Sequence, residues 1–275
     1  MIYMARYRRT WNSSVFSNYL KEGRGQGIGS KYKPWICIQN FPSNGIVSRV
    51  IGAKTGRIHH LMSNLELSLF YILDWTDDVV DIREQCPLID LAEAINIAET
   101  ANIKYPYDSK SGFPYVLTSD FYVETKQGAA AIAVKPSSEL GKLRVREKLE
   151  IERRYWTRRG IDWCIMTENE INRTKANNIE WLAQARDLGV FGLSESMQNT
   201  GCEYFMELYY DGQHPLISLF KSVEETIGLI AGMGLNIYKH LANWKQIPFN
   251  TEEKVDFVKF VLSSYPTALE VGFDS

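Results

Sequence analysis

Two strand-like runs, Tyr115 to Glu124 and Ala129 to Val134, are separated only by Thr125-Lys126-Gln127-Gly128. A short polar link ending in glycine between two such runs specifies a β-hairpin. A hairpin is marginal alone and needs further strands or helices to cover its faces. The flanking sequence supplies them. Ser63-Asn64-Leu65-Glu66 has the form of a capping box and opens a helix carrying Leu67, Leu69, Phe70, Ile72 and Leu73. Val79 to Gln85 reads as a strand and Leu91 to Asn102 as a helix of good formers. After the hairpin, a long helix is predicted from about Ser138 to Arg159, stopped by Gly160 and followed by a strand from Ile161 to Met166. Helix, strand, hairpin, helix, strand gives an α/β sandwich around one mixed sheet, closing near Glu170.

Beyond Asn172 the pattern is mostly helical: Ile179 to Leu188, Cys202 to Tyr209, Val223 to Leu241 and Glu252 to Ser263. Lys245-Gln246-Ile247-Pro248-Phe249 is read as a turn or a small wing. Two domains are therefore expected, a basic segment plus α/β domain over 1–170 and a smaller, helical, winged-helix-like domain over 171–275.

Charge separates the two ends of the chain. Residues 1–60 hold ten Lys or Arg, among them Arg6, Arg8 and Arg9, against the single acid Glu22, whereas residues 186–275 hold six basic against twelve acidic residues. The basic end suggests a polyanion partner or a solvated arm, and the acidic end a protein partner. Within the basic end, Gly23, Gly25, Gly27 and Gly29 alternate beside Arg24, Lys31 and Lys33. Such glycines disfavour helix and strand and let backbone N–H groups approach a phosphate.

Several chemistries find no support. Cys37, Cys86, Cys164 and Cys202 are scattered singly, so neither a zinc site nor a disulfide framework is indicated, and a reducing cytoplasm is expected. His59-His60 lacks companions at ligand spacing. There is no P-loop and no nucleophile elbow. No apolar run approaches the ~20 residues of a membrane span, so no membrane contact is expected.

The hairpin and its flanking helices carry the candidate chemistry. With Gln127-Gly128 as the tight turn, the residue opposite Asp120 is Lys135, which places a carboxylate beside an ammonium at one end of a sheet. That pair alone is equally a cross-strand salt bridge on a wet face. Two further acids alter the balance. Glu66 has Leu69, Phe70 and Leu73 at i+3, i+4 and i+7, and Glu152 falls among Val145, Leu149, Ile151, Tyr155 and Trp156 on the apolar side of its helix. Two inward glutamates around Asp120 and Lys135 make a setting for a hard divalent cation.

The pattern Ser119-Asp120 followed by Ala133-Val134-Lys135 resembles the PD-(D/E)xK, or restriction-endonuclease-like, nucleases, with Ala133 at the usual second acid. A more specific resemblance, to the TnsA family of transposon-end endonucleases, is carried by Glu22-Gly23-Arg24-Gly25-Gln26-Gly27, Lys54-Thr55-Gly56-Arg57, Asp81-Ile82-Arg83-Glu84-Gln85, Thr118-Ser119-Asp120-Phe121, Val134-Lys135-Pro136 and Glu152-Arg153-Arg154-Tyr155-Trp156. It implies that Glu66 and Asp120, with the Val134 carbonyl, hold Mg²⁺, for which Mn²⁺ substitutes. Lys135 would orient or help activate the attacking water, and Glu152 would support the ligands from behind. Arg24, Lys31, Lys33, Lys54 and Arg57 are expected on DNA. The resemblance also implies double-stranded transposon ends as substrate, cut at the 5′ side, with a DDE-type transposase and a regulator ATPase as partners in a bacterial nucleoid. A stand-alone restriction- or repair-type nuclease using the same residues, and an inactive nuclease fold retained as a DNA and protein adaptor, are the alternatives.

Overall fold

The computed structural model describes residues 10–37, 47–212 and 214–262. Arg6, Arg8 and Arg9 lie outside them. The chain divides into two compact units between Ile171 and Asn172.

The first unit is built on a four-stranded sheet, β3 (Val79–Pro87), β4 (Thr118–Thr125), β5 (Gly128–Val134) and β6 (Asp162–Met166), in that spatial order. β3 to β5 pair antiparallel, and β6 runs parallel to β5. One face packs on α2 (Asn64–Trp75), whose Leu69 and Phe70 meet Ile82, Phe121, Val123, Ile132 and Val134. The other packs on α3 (Leu91–Thr100) and α4 (Leu143–Thr157), through Ala94, Ile97, Ile151, Tyr155 and Trp156. The mixed sandwich follows from the strand and helix periodicities of the sequence.

Three local features depart from the sequence reading. Thr125 pairs with Gly128 and Phe121 with Ile132, so the central turn residues are Lys126 and Gln127. The Thr125 hydroxyl closes that turn, accepting from the Gln127 and Gly128 amides at 3.2 Å. Continued outward, this register sets Ala133 opposite Asp120, not Lys135. The helix expected from Ser138 is first a 3-10 turn, Ser137–Glu139; α4 begins only at Leu143, and Gly160 at φ +69° follows its end. The N-terminal segment, whose alternating glycines disfavour helix and strand, nonetheless contains α1 (Ser13–Lys21) ahead of them and a small antiparallel pair after them, β1 (Ser48–Ile51) with β2 (Ile58–Leu61).

The sheet also contains an exchange of faces. Ile82 and Cys86, four residues apart on β3, should share a face, yet Ile82 sits in the α2 core and Cys86 in the α3–α4 core. Gln85 lies between them at φ +49°, a left-handed conformation rare outside Gly and Asn, and it turns the strand over. The partner strand follows: Phe121 faces the α2 core, while Ser119 accepts a hydrogen bond from Trp156 on α4 at 2.7 Å. Asp120 stands at this crossover.

The second unit contains α5 (Arg173–Ala183), α6 (Glu195–Asp211), α7 (Leu216–Ile227), α8 (Met233–Asn243) and α9 (Phe257–Leu262), with no strand among the described residues. Residues 244–250 form a turn and coil, so no β-wing is present there. Phe205, Phe220 and Tyr238 cluster at its centre. The single helix expected from Val223 to Leu241 is broken into α7 and α8. Gly228 and Gly232 take left-handed conformations, and the Glu224 carboxylate accepts from the amides of Gly232 and Gly234 at 2.8 and 2.9 Å.

Candidate active site

The exchange of faces brings groups from both sides of the sheet toward Asp120. Its Oδ2 accepts from the Val134 amide and from Lys135 Nζ, each at 2.6 Å, and the same ammonium donates to the Val134 carbonyl at 2.8 Å. Lys135 reaches Asp120 diagonally across the hairpin, a span that suits a long side chain. Its own amide donates to Met166 O at 3.1 Å, which ties it to β6.

From the α2 side comes Glu66. Ser63 caps the helix by accepting from the Glu66 amide at 3.2 Å and donates its hydroxyl to Glu66 Oε1 at 2.9 Å. The return bond of the capping box goes to the Met62 amide, 2.9 Å from Oε2. Gln85 Nε2 also donates to Oε2 at 3.4 Å, while Gln85 Oε1 accepts from Thr118 at 3.2 Å. The capping role therefore holds the carboxylate in place rather than competing with a role in the site. From the α4 side comes Glu152, 6% exposed. Trp163 Nε1 donates to its Oε1 at 3.0 Å, and Ser119, whose oxygen accepts from Trp156, also bonds it.

Three carboxylates here share one ammonium. Burial first, and then the negative charge of Asp120, push Glu66 and Glu152 each up to about 7. Burial would lower Lys135, but Asp120, Glu152 and Glu66 together raise it, so it remains a cation at neutral pH. Excess negative charge around oxygen donors is a demand for a cation, and Lys135 Nζ already bridges Asp120 Oδ2 and Val134 O. The donors are hard, as Mg²⁺ requires. Among the described residues no three acidic, histidine or cysteine side chains converge in metal-ligand geometry.

The expected DNA-facing residues are dispersed. Arg24 stacks over Tyr19 with its guanidinium carbon 3.6 Å from the ring centroid, and pairs with Glu22 at 2.8 Å. Lys31 and Lys33 are exposed, Lys33 donating to the Glu22 carbonyl at 2.9 Å. Lys54 is half-buried, its amide bound to Asp74 at 3.1 Å. Arg57 is committed inward: its side chain is 8% exposed and grips both oxygens of Glu84, at 2.8 and 2.5 Å. His59 Nδ1 lies 2.8 Å from the same carboxylate and its Nε2 2.7 Å from Thr55 Oγ1, so this histidine is a satisfied core residue. Burial would raise Glu84, but Arg57 and His59 hold it down to about 2. The glycine loop is closed as well, with the Gly25 amide on Lys33 O and the Gly29 amide on Asp81.

Gln85 escaped the sequence reading because a strand pattern gives no sign of a left-handed residue. Ser119 and Trp163 were equally silent, since their value lies in which carboxylate they meet.

Comparison with known proteins bears on this arrangement. A family model described as TnsA-like endonuclease N terminal matches residues 76–168, a span holding Asp120, Val134, Lys135 and Glu152. A second, described as TnsA endonuclease C terminal, matches residues 170–250. A relative, the Transposon Tn7 transposition protein TnsA of Escherichia coli, is 38% identical over 255 residues, covering 86% of this chain and 90% of that protein. Fold, matched spans and identity along most of the length agree, and the chain is a member of the TnsA endonuclease family.

Proposed function

We propose that this chain is a divalent-metal-dependent endonuclease that cuts the 5′ side of transposon ends, with Glu66, Asp120 and Lys135 as its working groups. The observation that carries the reading is the hydrogen-bonded set of Asp120 Oδ2, Lys135 Nζ and the Val134 carbonyl, with Glu66 and Glu152 in electrostatic contact from either face. Glu66, Asp120 and the Val134 carbonyl would hold Mg²⁺, with Mn²⁺ as a substitute. A bound ion supplies Lewis-acid charge, making a water acidic enough to attack and offsetting charge on the phosphoryl oxygens. Lys135, kept protonated by three carboxylates, contributes positive charge and hydrogen-bond donors toward the phosphate rather than acting as a base. Glu152, anchored by Trp163 and Ser119, keeps Lys135 and Asp120 in register.

Duplex DNA is the substrate in this reading, met by the basic N-terminal surface through Arg24, Lys31, Lys33 and Lys54, while Arg57 acts indirectly by fixing Glu84. The second unit, acidic over 186–275, suits protein contacts better than DNA. We assign to it docking of the regulator ATPase, beside a DDE-type transposase that cuts the opposite strand. The test is cleavage of end-bearing DNA by the full chain with that partner and Mg²⁺. Asp120→Ala and Lys135→Ala should each abolish cutting while keeping the native circular dichroism spectrum. Normal cutting by either folded variant sinks the assignment.

A further inference from the structure

On α4, Lys148 shares a helical face with Ile151, Glu152 and Tyr155, at i+3, i+4 and i+7. All three are buried against the sheet, yet Lys148 itself is exposed. An inward-facing position that is nonetheless open leaves Lys148 accessible on the helical face that carries Glu152, although Leu149 beside it is buried. Lys148 stands one helical turn before Glu152, whose field acts on Lys135.

Its company is unusual for a lysine. Among the described residues no hydrogen bond or ion pair holds its Nζ. Arg144, one turn earlier, is occupied, donating to the Lys104 carbonyl at 2.6 Å and to Glu147 at 2.7 Å. Partial burial of its stem first, then the charges of Arg144 and Lys135, lower the Lys148 pKa, although the residue as a whole is exposed. Water solvates an exposed ammonium, so leaving it unpaired costs little, but it stays available to an anion passing the site. The established substrate class of this family is a polyanion whose backbone must pass the reacting site, and Lys135 marks that site in the reading proposed above.

We propose that Lys148 is a DNA-contact residue, binding a backbone phosphate adjacent to the one at Lys135 and so seating the strand to be cut. This rests on the Asp120–Lys135 site reading. Lys148 supplies binding and register, not chemistry. Arginine preserves the charge and reach needed for such a contact; glutamine retains much of the length and loses the charge.

The experiment measures duplex DNA binding by the full chain in EDTA, where no cutting occurs, across a salt series. Each phosphate contact contributes about 0.9 to the slope of log affinity against log salt. Lys148→Gln should therefore flatten the slope by about 0.9, so that a fourfold rise in salt weakens native binding about 3.5-fold more than it weakens the variant. Lys148→Arg should keep the native slope. In cleavage assays Lys148→Gln should raise the half-saturating DNA concentration more than it lowers the maximal rate. An unchanged slope in Lys148→Gln, or no salt-dependent binding by the native chain even at low salt, overturns the proposal. Asp120→Ala separates the two readings, because it should keep the slope in the EDTA series and lose cutting in the Mg²⁺ cleavage assay. If it cuts, the site reading fails whatever Lys148 does.

Discussion

Glu152→Gln offers a sharp test of the electrostatics at this site. The glutamate is 6% exposed and its pKa is raised from an ordinary value near 4.5 to about 7, chiefly by burial and then by Asp120. Between those two values the folded chain holds a proton that the unfolded chain has released, so this group makes stability fall as pH rises through that window. Above pH 7 the full penalty applies. At about 1.36 kcal/mol per tenfold change in proton affinity, the ionised carboxylate costs the fold about 3 kcal/mol at pH 8. Glutamine keeps the volume and the acceptor for Trp163 Nε1 without the charge. We expect Glu152→Gln to be about 3 kcal/mol more stable than the native chain at pH 8, and the two to be nearly equal at pH 4.5. For a unit of this size that is a rise of about 6–12 °C in the melting temperature. Thermal denaturation in EDTA at both pH values reads the difference directly. A gain of the same size at pH 4.5, or a loss at pH 8, would refute the account of Glu152 as a buried, destabilised anion.

Other consequences follow from the same contacts. At pH 8, Mg²⁺ at ten times its dissociation constant should stabilise the native chain by about 1.4 kcal/mol, and Asp120→Asn should show no such shift in a calorimetric scan. Arg57→Ala leaves Glu84 buried without its bidentate partner and should cost about 3–5 kcal/mol in urea denaturation; Arg57→Lys should rescue little, because an ammonium cannot span both oxygens. Gly234→Ala places a methyl group 2.5 Å from the Phe220 Cα and carbonyl oxygen. It should destabilise the second unit by about 1–3 kcal/mol or more, seen as an earlier melting transition, whereas Gly228→Asn should be tolerated because asparagine accepts the left-handed conformation.

The features legible in the sequence were those fixed by neighbours along the chain. Ser63 and Glu66 are three residues apart and announce both a helix start and the carboxylate it carries. The inward placement of Glu152 follows from helical periodicity alone. The hairpin was legible as a hairpin, but its register turned on whether Lys126-Gln127 or Gln127-Gly128 formed the centre of the turn, and the Thr125 hydroxyl decided it. The N-terminal strands β1 and β2 were missed because partners far along the chain secure them: Arg57 and His59 meet Glu84, and the amides of Ala53 and Lys54 meet Asp74. The break between α7 and α8 was missed for the opposite reason, since Gly228 and Gly232 stand in an otherwise helical pattern. No local pattern could show Lys148 as exposed, because helical periodicity sets it on the inward face with Ile151, Glu152 and Tyr155.

The left-handed residue at position 85 has a consequence for anyone improving this protein by selection. A glycine or asparagine there would relieve a backbone conformation that costs glutamine about 1 kcal/mol or more. Heat challenge alone would reward either replacement wherever that relief exceeds the packing and the two hydrogen bonds lost. Both would withdraw the long amide that joins Thr118 to Glu66. A heat-selected library should thus accumulate sequences that survive and no longer cut. Screening for cleavage at each round should return glutamine at this position, a local compromise between durability and activity.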